Sequence, residues 1–269
     1  MPTAVSFDEV LAEAVAYFVT HGFQEPDQLS YWAHRLGIAA RREMISTTRL
    51  KEKLRASLTA EYTRQVDKGL ILKVHPDLTR ETLTRLRPQL RQVLNTRIAA
   101  ANALITLNRE EEVASVIRRF AGWASSLPPV PAPATDRREA RSNIRKSLFE
   151  ANNRERMLII DQGHKLNNNI SSTLAEGGGA IAAYWISHYQ QHNYDYREVH
   201  KDLAIQSQYR PFLIRDSWAH RQGLLNTVGA TFTDQLEYQP GQQPYCRCYF
   251  QYIYNPRKLP PEMLTARAA

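Results

Sequence analysis

The chain has 269 residues, of which 43% are hydrophobic and 23% charged, with a formal net charge of +8. This composition is typical of a folded globular protein, and no apolar run reaches the roughly 18 residues of a membrane-spanning helix. The N-terminus lacks a signal-peptide pattern, so we expect synthesis and use inside a cell. The positive charge favours a polyanionic neighbour such as nucleic acid, although any soluble protein that avoids its isoelectric point could show the same bias.

The first predicted helix begins at a recognisable cap. Ser6 and Glu9 have the S-x-x-E spacing of a capping box, in which each side chain satisfies a free backbone N–H. Apolar residues then recur at intervals of three and four, and Gly22 is a stop signal. A second helix is predicted to begin at Asp27, directly after a proline.

Three further helices are predicted before residue 125. The leucine spacing indicates one helix over residues 47–67 and another over residues 79–107, with a kink at Pro88. Asn108 is predicted to begin the third, because carboxylates follow it in the first turn, and that helix should end near Trp123.

A proline-rich stretch divides the sequence. Residues 125–135 read SSLPPVPAPAT, which can form neither a helix nor a central strand. We therefore predict a stiff, solvated connector over residues 128–136, which separates a helical region, 1–127, from a second domain, 137–269.

The second domain is predicted to contain both helix and strand. A helical pattern over residues 136–174 ends at three glycines, and the hydrophobic period then changes toward two. Strands are predicted over residues 181–187, 212–214 and 245–254. The predicted fold class is α+β, with a mostly helical N-terminal region followed by a small mixed helix/strand C-terminal domain.

No catalytic motif of a hydrolase, kinase or metalloprotease occurs in the sequence. The side chains with chemical potential lie in the last third of the chain: Trp185, Asp195, Arg197, His200, Cys246 and Cys248. The pattern favours buried cysteines on a strand, with His200 and Asp195 in a hydrogen-bond network. No catalytic residue, cofactor or bound metal is therefore predicted.

Two alternatives remain for these side chains. His200, Cys246 and Cys248 could bind zinc with His188, His192 or Asp195 as the fourth ligand. The C-x-C spacing is, however, rarer in structural zinc sites than C-x2-4-C. A cysteine–histidine nucleophile is the other alternative, and it would make the chain an enzyme or a toxin-like domain.

A row of basic residues follows the connector: Arg137, Arg141, Arg145 and Lys146. The spacing of four residues places the arginines on one face of a helix. Such a face could bind DNA through its phosphates, without reading bases, or an acidic face of a protein partner, or it could be a solvated face without a partner. A plain DNA-binding accessory protein is therefore a further alternative function.

Three segments of the last domain form an ordered set of motifs. The first, RMLIIDQGHKLN over residues 156–167, has the pattern R…DQ…KLN. After a tryptophan on the first predicted strand, Asp195, Arg197 and His200 provide D-x-R…H. Residues 240–248 then provide PG…P-x-C-R-C. In order and spacing this set resembles the Mu-F-like minor head (head-morphogenesis) proteins of tailed phages, although the family's usual glycine after the histidine is missing.

The resemblance implies a function that the composition does not show. It implies a minor structural protein of the phage head, not an enzyme, that acts in head assembly near the portal and in DNA packaging or ejection. The expected partners are portal or capsid proteins and, through non-specific contacts, packaged double-stranded DNA. The protein would be assembled in the host cytoplasm, would reside in the virion and would have no membrane partner.

Overall fold

The computed structural model describes residues 5–44 and 46–268, without the side chains of residues 106–108, 147 and 149–153. The α-helices of the described residues are α1 (Phe7–His21), α2 (Pro26–Glu43), α3 (Thr47–Tyr62), α4 (Arg80–Ser125), α5 (Arg137–Gly178), α6 (Glu198–Tyr209) and α7 (Trp218–Arg221). The strands are β1 (Ala182–Ile186), β2 (Phe212–Leu213) and β3 (Tyr249–Ile253). The α+β fold class is confirmed. None of the helices in this part of the chain combines the length and apolar composition that a membrane crossing needs.

The chain forms two compact units whose limits lie within helices. One unit comprises Met1–Arg55 and Ala100–Leu158, and the other comprises Ala56–Ala99 and Ile159–Ala269. Helices α3, α4 and α5 therefore contribute residues to both units. This division differs from the predicted boundary at residues 128–136, because long-range packing defines the units and no change of composition marks the middle of a helix.

The first unit is helical and begins at the predicted cap. The Ser6 amide donates to the Glu9 carboxylate at 2.8 Å, and the Glu9 amide donates to Ser6 Oγ at 3.3 Å. The capping box is thus confirmed. Phe18 of α1 packs edge-on against Phe120 of α4, with ring centroids 5.7 Å apart, in a core that α1, α2, α4 and α5 share.

The proline-rich stretch is a loop, as predicted, but it lies inside the first unit. The Phe23 amide donates to the Pro128 carbonyl at 3.1 Å, and the Ala132 amide donates to the Val19 carbonyl at 2.9 Å. A Cβ on Gly22 would overlap with the backbone of this loop, so only glycine allows the approach. The stretch is exposed, as predicted, but it is fastened to α1 and to the residue after Gly22 within one unit and does not connect two units.

Helix α4 is longer than predicted. The sequence predicts a helix start at Asn108, whose side chain lies outside the described part, but the backbone of α4 continues through this position. Ile105, Val113 and Val116 are all buried and keep helical spacing across it. A continuous apolar stripe therefore overrides the local capping signal. Pro88 is also inside α4 and exposed.

The second unit contains a three-stranded antiparallel sheet with the order β2-β1-β3. The central strand, β1, pairs Ala182 with Leu213 of β2 and with Ile253 of β3. Ala182 and Ala183, which point to opposite faces of β1, pack in two different hydrophobic clusters, so both faces of the strand are covered. Gly179, at φ +78°, lies directly after α5 and allows the sharp turn toward β1.

Candidate functional site

Helix α6 places His200 beside the sheet. Arg197, with an extended backbone, precedes α6. The negative charge of Glu198 in the first turn interacts favourably with the positive end of the helix dipole. His200 lies in the same turn and is buried. In the last turn of α6, Ser207 accepts a hydrogen bond from the Trp185 amide at 2.9 Å and donates to the Ala204 carbonyl at 3.0 Å. These bonds hold the buried face of α6 on β1.

The segment before β3 has an unusual backbone that an aspartate of α5 stabilises. Tyr245 has a φ of +60°, a value that few residues other than glycine adopt. Its amide donates to Asp161 Oδ1 at 2.7 Å, and Asp161 also pairs with Lys165 at 2.8 Å. Arg197 donates to the Pro244 carbonyl at 3.1 Å and so fixes the same turn from the α6 side.

A glycine allows this segment to approach α5 closely. Gly241 has a φ of +74°, and a Cβ there would overlap with the side-chain amide of Asn168. Asn168 donates to the Cys248 carbonyl at 3.0 Å. The glycine of the PG motif and a residue directly after the KLN motif thus meet.

The turn brings both cysteines to His200. His200 Nδ1 lies 3.6 Å from Cys246 Sγ and 3.5 Å from Cys248 Sγ. Trp185 packs edge-on against the imidazole, with ring centroids 5.3 Å apart, and also against Phe250, with ring centroids 5.6 Å apart. The side chains of His200, Cys246 and Cys248 are all buried among aromatic and small apolar residues.

The two thiols differ in acidity because they interact with each other. The hydrogen bond from Cys248 lowers the pKa of the Cys246 thiol, and His200 adds to the effect. The same hydrogen bond raises the pKa of the Cys248 thiol, and burial raises it further.

Five of the six predicted motif residues meet here: Trp185, Arg197, His200, Cys246 and Cys248. Asp195 is exposed and does not join the group, so the predicted His200–Asp195 network is wrong. The cysteines also precede β3 and are not on it. Strand β1 ends at Ile186, the partner of Tyr249, so it offers no pairing partner to Cys248.

Two contributors were not identified in the sequence. Asn168 and Ser207 fix the backbone of the cysteine segment and of β1, respectively. Neither residue stands in a recognisable motif, because the atoms that they contact are backbone groups far away in the sequence. Asp161 and Lys165 belong to the R…DQ…KLN motif, but their role in holding Tyr245 became visible only in the structure.

The predicted basic face lies on α5 in the first unit. The side chains of Arg137, Arg141, Arg145 and Lys146 are all exposed. The opposite face is buried through Ala140, Ile144 and Leu148. Arg145 pairs with Asp8 of α1 at 2.9 Å, so part of the positive charge is neutralised within the unit.

Comparison with protein-family models, with curated proteins and with solved structures found no match to this chain.

Proposed function

We propose that this chain is a minor structural protein of a tailed-phage head, which acts in head assembly near the portal and in DNA packaging or ejection. The observation that carries the proposal is the convergence of the three motifs that resemble the Mu-F-like family. Asp161 binds the backbone of Tyr245, Arg197 binds that of Pro244, and His200 contacts both cysteines. Segments far apart in sequence thus build one local structure, as residues of a family motif would.

The geometry of the cysteine–histidine cluster supports a non-enzymatic role. A nucleophile must reach its substrate, but Cys246 and Cys248 are 0% and 1% exposed, and His200 is 3% exposed. Trp185 and Phe250 cover the cluster further. This burial favours a structural protein over the alternative, a cysteine-dependent enzyme or toxin-like domain.

The exposed face of α5 supplies a surface for a partner. Its three arginines and one lysine carry positive charge at a regular spacing on a helix whose other face is packed. Portal or capsid proteins with an acidic surface, or the phosphates of packaged DNA, have the complementary charge. We propose that this face binds one of these partners during head assembly.

Deletion of the gene from the phage or prophage that encodes it tests the proposed function. We expect the yield of infectious particles to fall at least tenfold and to be restored by the wild-type chain supplied from a plasmid. Electron microscopy should show the defect in heads and not in tails. A deletion that leaves the titre and the DNA content of the heads unchanged would contradict the proposal.

The same complementation assay tests the basic face. The double variant Arg141→Glu, Lys146→Glu leaves the Arg145–Asp8 ion pair in place and should fail to restore the titre. A control with the same change of charge on exposed residues of α2 and α4, Arg42→Glu with Arg118→Glu, should complement normally. If the α5 variant and the control variant restore the titre equally well, the basic face has no role in head assembly. If the α5 variant enters heads but these lack DNA, the partner is DNA and not a head protein.

A further inference from the structure

His200, Cys246 and Cys248 place three potential metal ligands at one buried point. Their ligand atoms all lie within 4.8 Å of one another, and among the described residues no other group of histidine, cysteine and acidic side chains does so. His188, His192 and Asp195, which the sequence offers as fourth ligands, do not belong to this group.

Hydrogen bonds alone do not account for the arrangement. A neutral imidazole has one acceptor nitrogen with one lone pair, so Nδ1 can accept from one thiol only. Yet the two sulfurs lie at nearly equal distances from it, 3.5 and 3.6 Å. A metal ion bound to Nδ1 would account for both distances, because it would contact the nitrogen and the two sulfurs at once.

The distances are those of ligands around a tetrahedral zinc ion. Zinc–sulfur bonds of about 2.3 Å and zinc–nitrogen bonds of about 2.0–2.1 Å, at a tetrahedral angle, place sulfur and nitrogen about 3.6 Å apart. Two thiolates and an imidazole are also the ligand types that zinc prefers over oxygen donors. We propose that His200, Cys246 and Cys248 bind one zinc ion, although the sequence alone favours a pair of cysteines without metal.

Burial assigns this ion a structural role. Three protein ligands leave one tetrahedral position, which a buried water molecule can fill. The ion would tie the first turn of α6 to the segment that precedes β3. Because such a site does not exist in the unfolded chain, the binding free energy of the metal contributes directly to folding. This inference is independent of the proposed function in the phage head.

Elemental analysis of the full chain, produced with zinc in the medium and purified without a polyhistidine tag, tests the site. We expect about one zinc per chain. Cys246→Ser and Cys248→Ser should each lower this content at least fivefold, whereas the control His188→Ala should retain it. Wild-type protein stripped of zinc and loaded with cobalt should show the visible bands of tetrahedral cobalt and a thiolate-to-cobalt charge-transfer band.

Measurements on the wild-type chain test the proposal even if the cysteine variants fail to fold. Wild-type protein that holds no zinc or cobalt, and whose melting temperature is unchanged by a strong chelator, would overturn the proposal. Zinc that persists at full content in both folded cysteine variants would also overturn it, because the ion would then be bound elsewhere. A cobalt spectrum without the thiolate band would exclude the cysteines as ligands.

Discussion

Single residues hold the cysteine segment against α5, and Gly241 is the most constrained of them. An alanine there would adopt a left-handed conformation, which costs about 1–2 kcal/mol. It would also displace Asn168 from the Cys248 carbonyl, a hydrogen bond worth roughly 1 kcal/mol. We expect Gly241→Ala to reduce the free energy of unfolding by about 2–3 kcal/mol in denaturant titrations.

Gly223 is the matched control for this substitution. Its φ of +67° is also left-handed, but the nearest group to an added Cβ, Arg267 Nη1, is 3.8 Å away. Gly223→Ala should therefore lower the free energy of unfolding only by the cost of the left-handed backbone conformation, about 1–2 kcal/mol. Equal losses in the two variants would show that the contact with Asn168 contributes nothing.

His75 makes the stability of the chain sensitive to acid. This imidazole is fully buried in the second unit, its Nδ1 is 2.6 Å from Tyr254 Oη, and burial lowers its pKa to about 4. The unfolded chain takes up the proton near pH 6.5, whereas the folded chain takes it up only near pH 4. Stability is therefore unaffected above the unfolded pKa and falls as the pH falls between the two values.

Replacement of this histidine should remove that pH dependence. Between pH 7 and pH 5 the imidazole should lower the free energy of unfolding by about 2 kcal/mol, and His75→Gln should lose this part of the pH dependence. The measurement is a denaturant titration at both pH values. His192→Gln, at an exposed position, should behave as the wild type. A His75→Gln variant that keeps the full difference would assign the effect to other groups.

At the scale of elements, α4 contains a residue that disfavours helix. Pro88 lies in the interior of the helix with its side chain exposed, so it removes a backbone hydrogen bond without packing in the core. Alanine is better than proline in a helix interior by about 3 kcal/mol, partly offset by up to about 1 kcal/mol of unfolded-chain entropy. We expect Pro88→Ala to raise the free energy of unfolding by about 2 kcal/mol.

Denaturant titration of this variant beside Gln89→Ala measures the effect. Gln89 is the exposed neighbour, and its replacement should change stability by less than about 0.5 kcal/mol. A destabilised Pro88→Ala variant would indicate that the missing hydrogen bond, or the bend that it causes, is required by the native packing.

Most elements could be predicted because their signals are local. The capping box at Ser6 and the alternation around Trp185 each depend on neighbouring residues, and each was located correctly. The helix before the three glycines was predicted to end at residue 174, but α5 continues through Gly178, and it is Gly179, with its positive φ, that follows its end. The start at Asn108 and the early start of β3 were wrong, because the first needed the buried stripe of α4 and the second needed the end of β1. Information of that kind is distributed over distant parts of the chain.

The candidate site shows the same limit. Spacing alone could place Cys246 and Cys248 on one side of an extended segment and nominate His200. It could not give the 3.5 and 3.6 Å distances to Nδ1, because these depend on the left-handed Tyr245 and on the bonds from Asp161. Metal binding therefore changed from a disfavoured alternative to the proposal that the geometry supports best.

At the scale of the whole chain, composition was a poor guide to the units. The prolines of residues 128–136 indicated a domain boundary, yet the Phe23 amide binds the Pro128 carbonyl within one unit. The limits of the units lie inside α3, α4 and α5, where neither proline nor glycine marks them. A long helix can continue from one core into another without a local signal, because each core requires only its own apolar stripe.

The central claim, that this chain is a structural component of a phage head, is tested most directly by the protein composition of purified particles. Quantitative mass spectrometry of density-purified, DNA-filled particles should find the chain beside the portal and capsid subunits, in a fixed ratio and in few copies per head. A second measurement on the same particles after DNA release would show whether it leaves with the DNA. Absence of the chain from both immature heads and filled particles, while it is abundant in the lysate, would contradict the account.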